Sequence, residues 1–429
     1  MAQIRKTLIP LLALAALVAP APAAAAPDEV VLRFKGAHKA RVIPAGDAGA
    51  AATARALRRN PEIAYAVPNY IATASALAPN DPGTVPGRQG PRYGWLYRQW
   101  NFLPCGALCG QQSIEGIPQS AGGIDAITAW RNLRSAGRPG ASGITVAVLD
   151  TGIAYRNAVG GIRRSPDFRR RRFVRGRDVV DGDRFADDTN GHGTHVAGTI
   201  GEQTNNGIGL TGLAYRAKLM PVRVLGDAGR GESDDIARGI RFAAKHRADI
   251  INMSFNFDCH VAVPVVEEAL NYAARRGVVL VASYGNLGCV SSPGGEPHVI
   301  TVGGTTSGGC RGIYSPVSAQ IDLLAPGGGN PITTCESASS RPVLQVTLKR
   351  PRSSSFGIPR FYTGTSMAAA HVSGAAALVI ASSVVGSNPQ PSQVLNRLQQ
   401  TARGLGMVRA QQGAGLIDVG AATTPPGGG

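Results

Sequence analysis

Five short β-branched runs recur between Gly143 and Gly304: GITVAVLD (Gly143 to Asp150), KLMPVRVL (Lys218 to Leu225), ADIINMSF (Ala248 to Phe255), GVVLVASY (Gly277 to Tyr284) and HVITVGG (His298 to Gly304). Alanine-rich segments with helical spacing lie between them. A strand that is apolar throughout needs cover on both faces. A helix between successive strands supplies that cover through a right-handed parallel crossover. The pattern therefore predicts an α/β fold, a three-layer sandwich with a mostly parallel central sheet and helices on both faces. Ser233 is the expected N-cap of one such helix (Ser233 to Arg247), and Val263 to Gly277 reads as another, closed by basic residues and a C-cap glycine. In a sheet of this kind chemistry collects at the carboxyl ends of the strands.

The first 26 residues have a basic start, an apolar centre from Leu8 to Val18 and a small-residue ending near Ala26. This is the composition of an export signal, and its centre is too short to span a hydrocarbon layer of about 30 Å. A second apolar run, Met367 to Val385, contains His371 and several serines, so it reads as a buried helix and no membrane span is expected. Residues 27–77 form a small α+β unit, with strands at Val30 to Lys35 and Glu62 to Ala72 around a helix at Ala48 to Arg59. The Pro/Gly-rich stretch from Ala78 to Gly94 reads as an exposed linker. The expected domains are thus 1–26 signal, 27–77 small unit, 78–424 main domain and 425–429 disordered tail.

Export gives the six cysteines a meaning, because an oxidising compartment allows an even number to pair. Cys105 with Cys109, Cys259 with Cys289 and Cys310 with Cys335 are the nearest neighbours, although sequence alone leaves every connectivity open. No cysteine or histidine cluster has the spacing of a zinc site. The net charge of +17 is densest at Arg163, Arg164 and from Arg169 to Arg177. No aromatic platform or binding motif accompanies that run, so no specific nucleic-acid partner is expected. It reads as a solvated basic face, with attraction to anionic surfaces or acidic substrates as the functional alternative.

Three segments put a reactive side chain at an element boundary: AVLDTGI with Asp150, NGHGTHVAG with His192, and GTSMAAAHVSG with Ser366. A serine hydroxyl needs a base, histidine suits that role near neutral pH, and a carboxylate must hold the imidazole tautomer. Ser366 at a helix start would have free backbone N–H groups beside it for developing negative charge. His195 and His371, a helical turn or more beyond His192 and Ser366, read as satisfied core residues.

With DTG, HGTHVAG and GTSMA in this order and spacing, the chain resembles the subtilisin-like serine peptidase family from about Ala78 to Ala422. The resemblance implies a subtilisin-like sandwich and a serine endopeptidase acting on polypeptides through an acyl-enzyme. It also implies secretion as an autoprocessed zymogen, most simply a monomer, whose residues 27–77 are its own inhibitory propeptide and folding aid. Residue by residue, it implies Asp150, His192 and Ser366 as the triad, with Asn286 and the Ser366 N–H as oxyanion donors. Ser254 and Phe255, with Ser283, Tyr284 and Gly285, would line the substrate cleft. No catalytic cofactor is implied, but a structural Ca²⁺ is. The family's calcium loop matches Thr204 to Leu210, with carbonyls of Thr204, Ile208 and Leu210 and side chains of Asp167 and Asn206 as ligands; a tight Asn/Gly turn is the alternative.

The chain departs from the family pattern at four places. Ala370 replaces the usual proline before His371, Asn256 and Phe257 replace glycines, Ser291 and Ser292 stand at the floor of the primary pocket, and Glu336 to Phe361 is long. These leave the cleavage preference open and suggest a loop near Ser366 that shapes access.

Overall fold

The computed structural model describes residues 25–70, 79–85, 94–289, 291–332 and 340–425. The expected signal and tail lie almost wholly outside the described residues. The chain divides into two compact units, Met1–Ser75 and Ala76–Gly429.

In the first unit, strand β1 (Ala25–Phe34) pairs antiparallel with β2 (Arg41–Pro44) on one side and β3 (Ile63–Tyr70) on the other. Helix α1 (Ala50–Leu57) packs on this sheet around Val30, Leu32, Ala54, Ile63 and Ala66. So small a core is marginal by itself, since a short chain buries too little apolar surface to offset its ordering entropy.

The second unit is built on seven strands: β4 (Thr145–Asp150), β5 (Arg177–Asp178), β6 (Lys218–Arg223), β7 (Ile250–Met253), β8 (Val279–Ser283), β9 (Val299–Thr305) and β10 (Leu323–Pro326). Their order is β10-β9-β8-β7-β4-β6-β5 and every pairing is parallel. The two-residue period of β4 sends Val146 and Val148 into one apolar cluster and Ala147 and Leu149 into another. The first cluster is covered by α2 (Ala126–Ser135), α3 (His192–Gly201) and α6 (Thr365–Ser382), and the second by α4 (Ser233–Lys245) and α5 (Pro264–Ala274). This is the three-layer sandwich expected from the strand pattern. Strand order reverses at β4, so a crevice opens at its carboxyl end.

Helix α6 is long and apolar enough to cross a membrane by composition, yet sixteen of its eighteen residues are buried in the fold. That is the core helix expected from the run after Met367. Ala370 is fully buried within it, and the helix continues unbroken past the position of the family's proline.

Some local expectations are corrected. Helix α4 takes Glu232, in extended geometry, as its N-cap, so Ser233 is already helical and no side chain caps the end. Helix α5 is capped by Arg275, and Gly277 turns left-handed two residues later. Residues 79–85 are no exposed linker. Asp81 is 2% exposed and accepts the Asn205 and Asn206 amides, while Gly83 donates to the Gly209 carbonyl. Proline and glycine content marks an irregular backbone but does not say what that backbone binds.

Cys105–Cys109 and Cys259–Cys289 are disulfides, as their proximity in sequence suggested. Cys310 is also disulfide-bonded, and Cys335 lies outside the described residues.

Candidate active site

Asp150 is the last residue of β4, His192 the first of α3 and Ser366 the second of α6. All three stand at the carboxyl edge of the sheet. Asp150 is fully buried. One of its oxygens, Oδ1, accepts from the Thr151 amide at 2.8 Å and lies 2.8 Å from His192 Nδ1. This fixes the proton on Nδ1 and leaves Nε2 as the basic nitrogen. The approach is possible because residue 193 is glycine: a Cβ there would stand 2.1 Å from the Gly152 carbonyl and 3.1 Å from Asp150 Oδ1.

Burial alone would push the His192 pKa down. The charge and hydrogen bond of Asp150, with the charge of Asp188 behind it, outweigh burial and raise it above the ordinary histidine value. Asp188 gave no signal in the sequence beyond being an acid four residues before His192. It accepts from Thr151 Oγ1, from the Asn190, Gly191 and Thr194 amides and from Thr194 Oγ1, and so holds the turn into α3 in place.

Ser366 Oγ donates to the Ser254 carbonyl at 3.0 Å, and Ser254 Oγ donates back to the Ser366 carbonyl at 2.9 Å. Ser366 and His192 face the same cavity of about 440 Å³ without a hydrogen bond between them. Catalytic hydrogen bonds are often formed only once substrate is present. As the second residue of α6, Ser366 has a backbone N–H with no acceptor inside the helix.

Asn286 also faces that cavity. Its Oδ1 accepts from the Thr365 amide at 2.9 Å and from Thr365 Oγ1 at 3.1 Å. Because a backbone N–H can only donate, the oxygen must take that side and the NH₂ group is left toward the cleft. Gly364, at φ +139°, makes room: a Cβ there would be 3.0 Å from Asn286 Oδ1.

The expected cleft residues separate by side chain. Ser254, Phe255 and Gly285 line the cavity, with Asn256, Phe257 and Ser291 beside them. Ser283 is buried behind Asn256, and Tyr284 turns away, its hydroxyl donating to Gln320. His195 stacks on Tyr362 at 4.1 Å between ring centres, and burial pushes its pKa down to about 3. His371 holds Met367 O and Asn101 Nδ2, and burial pushes it down to about 4. Both are neutral core residues. The long segment before Phe361 seats itself on the His192 loop, where Thr347 Oγ1 donates to Gly191 O and the Arg352 amide to Thr189 O, both at 2.6 Å.

Around Thr204 to Leu210, Asp167 is buried, with Oδ1 accepting from Asn206 Nδ2 at 2.8 Å and Oδ2 from the Leu210 amide at 2.9 Å. Asn206 Oδ1 accepts from the Ile208 amide. Burial raises Asp81 to about 6, and burial with the charge of Asp81 raises Asp167. Behind them Glu202 is fully buried, and burial with the charges of Asp167 and Asp81 raises its pKa well above the ordinary carboxylate value. Among the described residues no group of three or more His, Cys, Asp or Glu converges on one metal position. The donors at hand are two carboxylates, one amide and loop carbonyls, all oxygen, with an excess of negative charge that suits a hard cation.

Residues 141–415 match the model of the subtilase family. The chain is 37% identical to subtilisin BL of Lederbergia lenta over 284 residues, which cover 66% of this chain and 91% of that protein. It is 36% identical over 315 residues to an extracellular protease of Xanthomonas campestris, covering 66% of this chain and 51% of that protein. Among solved structures, one titled as proteases from Pseudoalteromonas arctica superposes with a TM-score of 0.58 at 32% identity, covering 70% of this chain and 94% of that one.

Proposed function

Because the chain belongs to the subtilase family and is a serine endopeptidase, we propose that Asp150, His192 and Ser366 carry its peptide-bond hydrolysis and that it is made as a secreted, self-processing zymogen. The observation that carries the assignment is the 2.8 Å contact between His192 Nδ1 and buried Asp150, on the same cavity as Ser366 and Asn286.

In this mechanism Ser366 turns its hydroxyl from the Ser254 carbonyl to His192 Nε2 as substrate docks. It attacks the peptide carbonyl while His192 takes the proton. Asp150 holds the imidazole tautomer and stabilises the imidazolium. The Asn286 amide and the Ser366 N–H receive the oxyanion, and His192 then protonates the leaving amine. Water, activated by the same histidine, releases the acyl group. Backbone of Ser254 to Asn256 and Ser283 to Gly285 would pair with extended substrate as an added strand.

Secretion is supported by the composition of residues 1–26. A role for residues 27–77 as inhibitory propeptide and folding aid is supported by their forming a separate small unit ahead of the peptidase domain. Ca²⁺ is proposed as a structural ion held by Asp81, Asp167 and Asn206 with carbonyls of Thr204, Ile208 and Leu210. The gathering of fully buried Glu202 beside Asp167 and Asp81 supports it. Such an ion would neutralise the acids and tie residues 79–85 to the loop.

The deciding experiment is labelling of the processed protein by a fluorophosphonate, compared with Ser366→Ala. The expected result is labelling of the first alone. An unlabelled wild type, or a Ser366→Ala precursor that matures normally in isolation, contradicts the proposal.

A further inference from the structure

The peptide carbonyl under attack must sit between Ser366 Oγ and the Asn286 amide. The side chain of the residue that owns this carbonyl therefore enters the adjoining concavity, between Ser254–Cys259 on one side and Gly285–Cys289 with Ser291 on the other. We infer that Asn256 is the specificity-determining residue of this concavity and selects substrates with small side chains, alanine and serine, over aromatic ones. The inference rests on the proposed peptidase reading of the site.

Beyond the end of β7, Phe255 and Phe257 pack against the apolar cluster beneath α4 and α5 and also border the cavity, with Asn256 between them. Ser254 meets Ser366, as described. Asn256 reaches the second wall, where its Nδ2 donates to the Ser283 carbonyl at 2.7 Å and its Oδ1 accepts from Ser283 Oγ at 3.1 Å. Ser283 is fully buried, whereas Leu287, further along the same wall, is 81% exposed. Asn256 therefore bridges the walls at the inner end of the concavity.

Gly285 shows where the amide lies relative to substrate. A Cβ placed on it, which would project from that wall, would meet Ser291 Oγ at 2.9 Å and Asn256 Cγ at 3.7 Å. The space against Gly285 is thus occupied by an amide and a hydroxyl, and Ser291 is only 4% exposed. Swinging Asn256 aside would break the 2.7 Å bond from its Nδ2 to the buried Ser283 carbonyl.

The walls cannot spread to compensate. The Phe257 amide donates to Ser292 O at 2.9 Å, and the Cys259–Cys289 disulfide joins the two segments beyond it. A short, rigid, polar-ended pocket accepts a methyl or hydroxymethyl group. An aromatic ring reaching the same place would have to set its edge against the Asn256 amide and the Ser291 hydroxyl.

The test is kcat/KM on tetrapeptide p-nitroanilides ending in Ala, Ser, Leu and Phe, for the processed wild type, Asn256→Gly and Asn256→Ala. The wild type should favour Ala and Ser over Phe by at least about tenfold, within the roughly 10–200-fold that one or two methylenes can command. Both variants should shift the Phe/Ala ratio toward Phe by about tenfold or more. A wild type that already prefers Phe overturns the proposal whether or not the variants fold, and so does an unchanged ratio in both. Fluorophosphonate labelling run in parallel separates the two readings: loss of labelling in the wild type speaks against the peptidase assignment, and normal labelling with an aromatic preference speaks against Asn256 alone.

Discussion

Asn286 is held by the residue immediately before Ser366: the Thr365 amide and hydroxyl both donate to its Oδ1, at 2.9 and 3.1 Å. The two groups proposed to meet the oxyanion, the Asn286 NH₂ and the Ser366 N–H, are therefore set by one short stretch of backbone and need no reorganisation during the reaction. Asn286→Leu should lower kcat about 10²–10³-fold, the loss known for removing the corresponding donor of subtilisin, with little change in KM. Steady-state kinetics on one p-nitroanilide would decide it; an effect confined to KM would mean that Asn286 only binds substrate.

His192→Ala and Ser366→Ala should each cost on the order of 10⁶ in kcat, the size seen in subtilisin when either member of the unit is removed. The double variant should be scarcely worse than either single one, because the two act together. Additive losses in burst-phase and steady-state assays would show that the residues act independently.

The acid limb of kcat/KM should lie above the ordinary histidine value of about 6.5, because His192 must be neutral to accept a proton and its pKa is raised. Burial opposes that rise, and Asp150 and Asp188 supply it. Activity is thus complete above the raised value and is lost as pH falls through it. Asp188→Asn removes one charge while its amide oxygen keeps only one of the two acceptor positions, so it should move the limb to lower pH. A pH profile in which Asp188→Asn titrates with the wild type would show that the Asp188 charge does not reach the imidazole.

Chelation should destabilise the protein. Calcium at a hundredfold excess over its Kd contributes about 2.7 kcal/mol to the folded state. Thermal unfolding followed by circular dichroism should therefore show a lower Tm in chelator, restored by added Ca²⁺. In Asp167→Asn the difference should shrink or vanish, and a Tm indifferent to both ion and chelator in the wild type would remove calcium from the account.

What the sequence revealed and what it hid follow from how each residue is specified. Asp150, His192 and Ser366 were legible because each sits where a period changes, from strand to turn or from loop to helix, beside glycines whose lack of a side chain permits the close approach. The buried strands were legible because β-branched runs without polar alternation fit only a doubly covered sheet. Asp188 was not, since an acid in a polar loop resembles a solvated one until its five partners are seen. The anchoring of Asp81 was hidden for the same reason: its partners lie more than 120 residues away in sequence. The replacement of glycine by Asn256 was visible, but its bridge to Ser283 depends on the register between two non-adjacent segments.

Helix α6 places Ser366 at the mouth of an element with sixteen of its eighteen residues buried. Such a helix, half alanine and valine with no outward polar stripe, has no stable existence apart from the sheet and helices that enclose it. The nucleophile is therefore set only when the whole domain has condensed around it. A nascent chain carries the catalytic residues in its sequence but has no machine with which to use them. Harmlessness during synthesis is thus a property of the core itself, in addition to anything the first unit contributes.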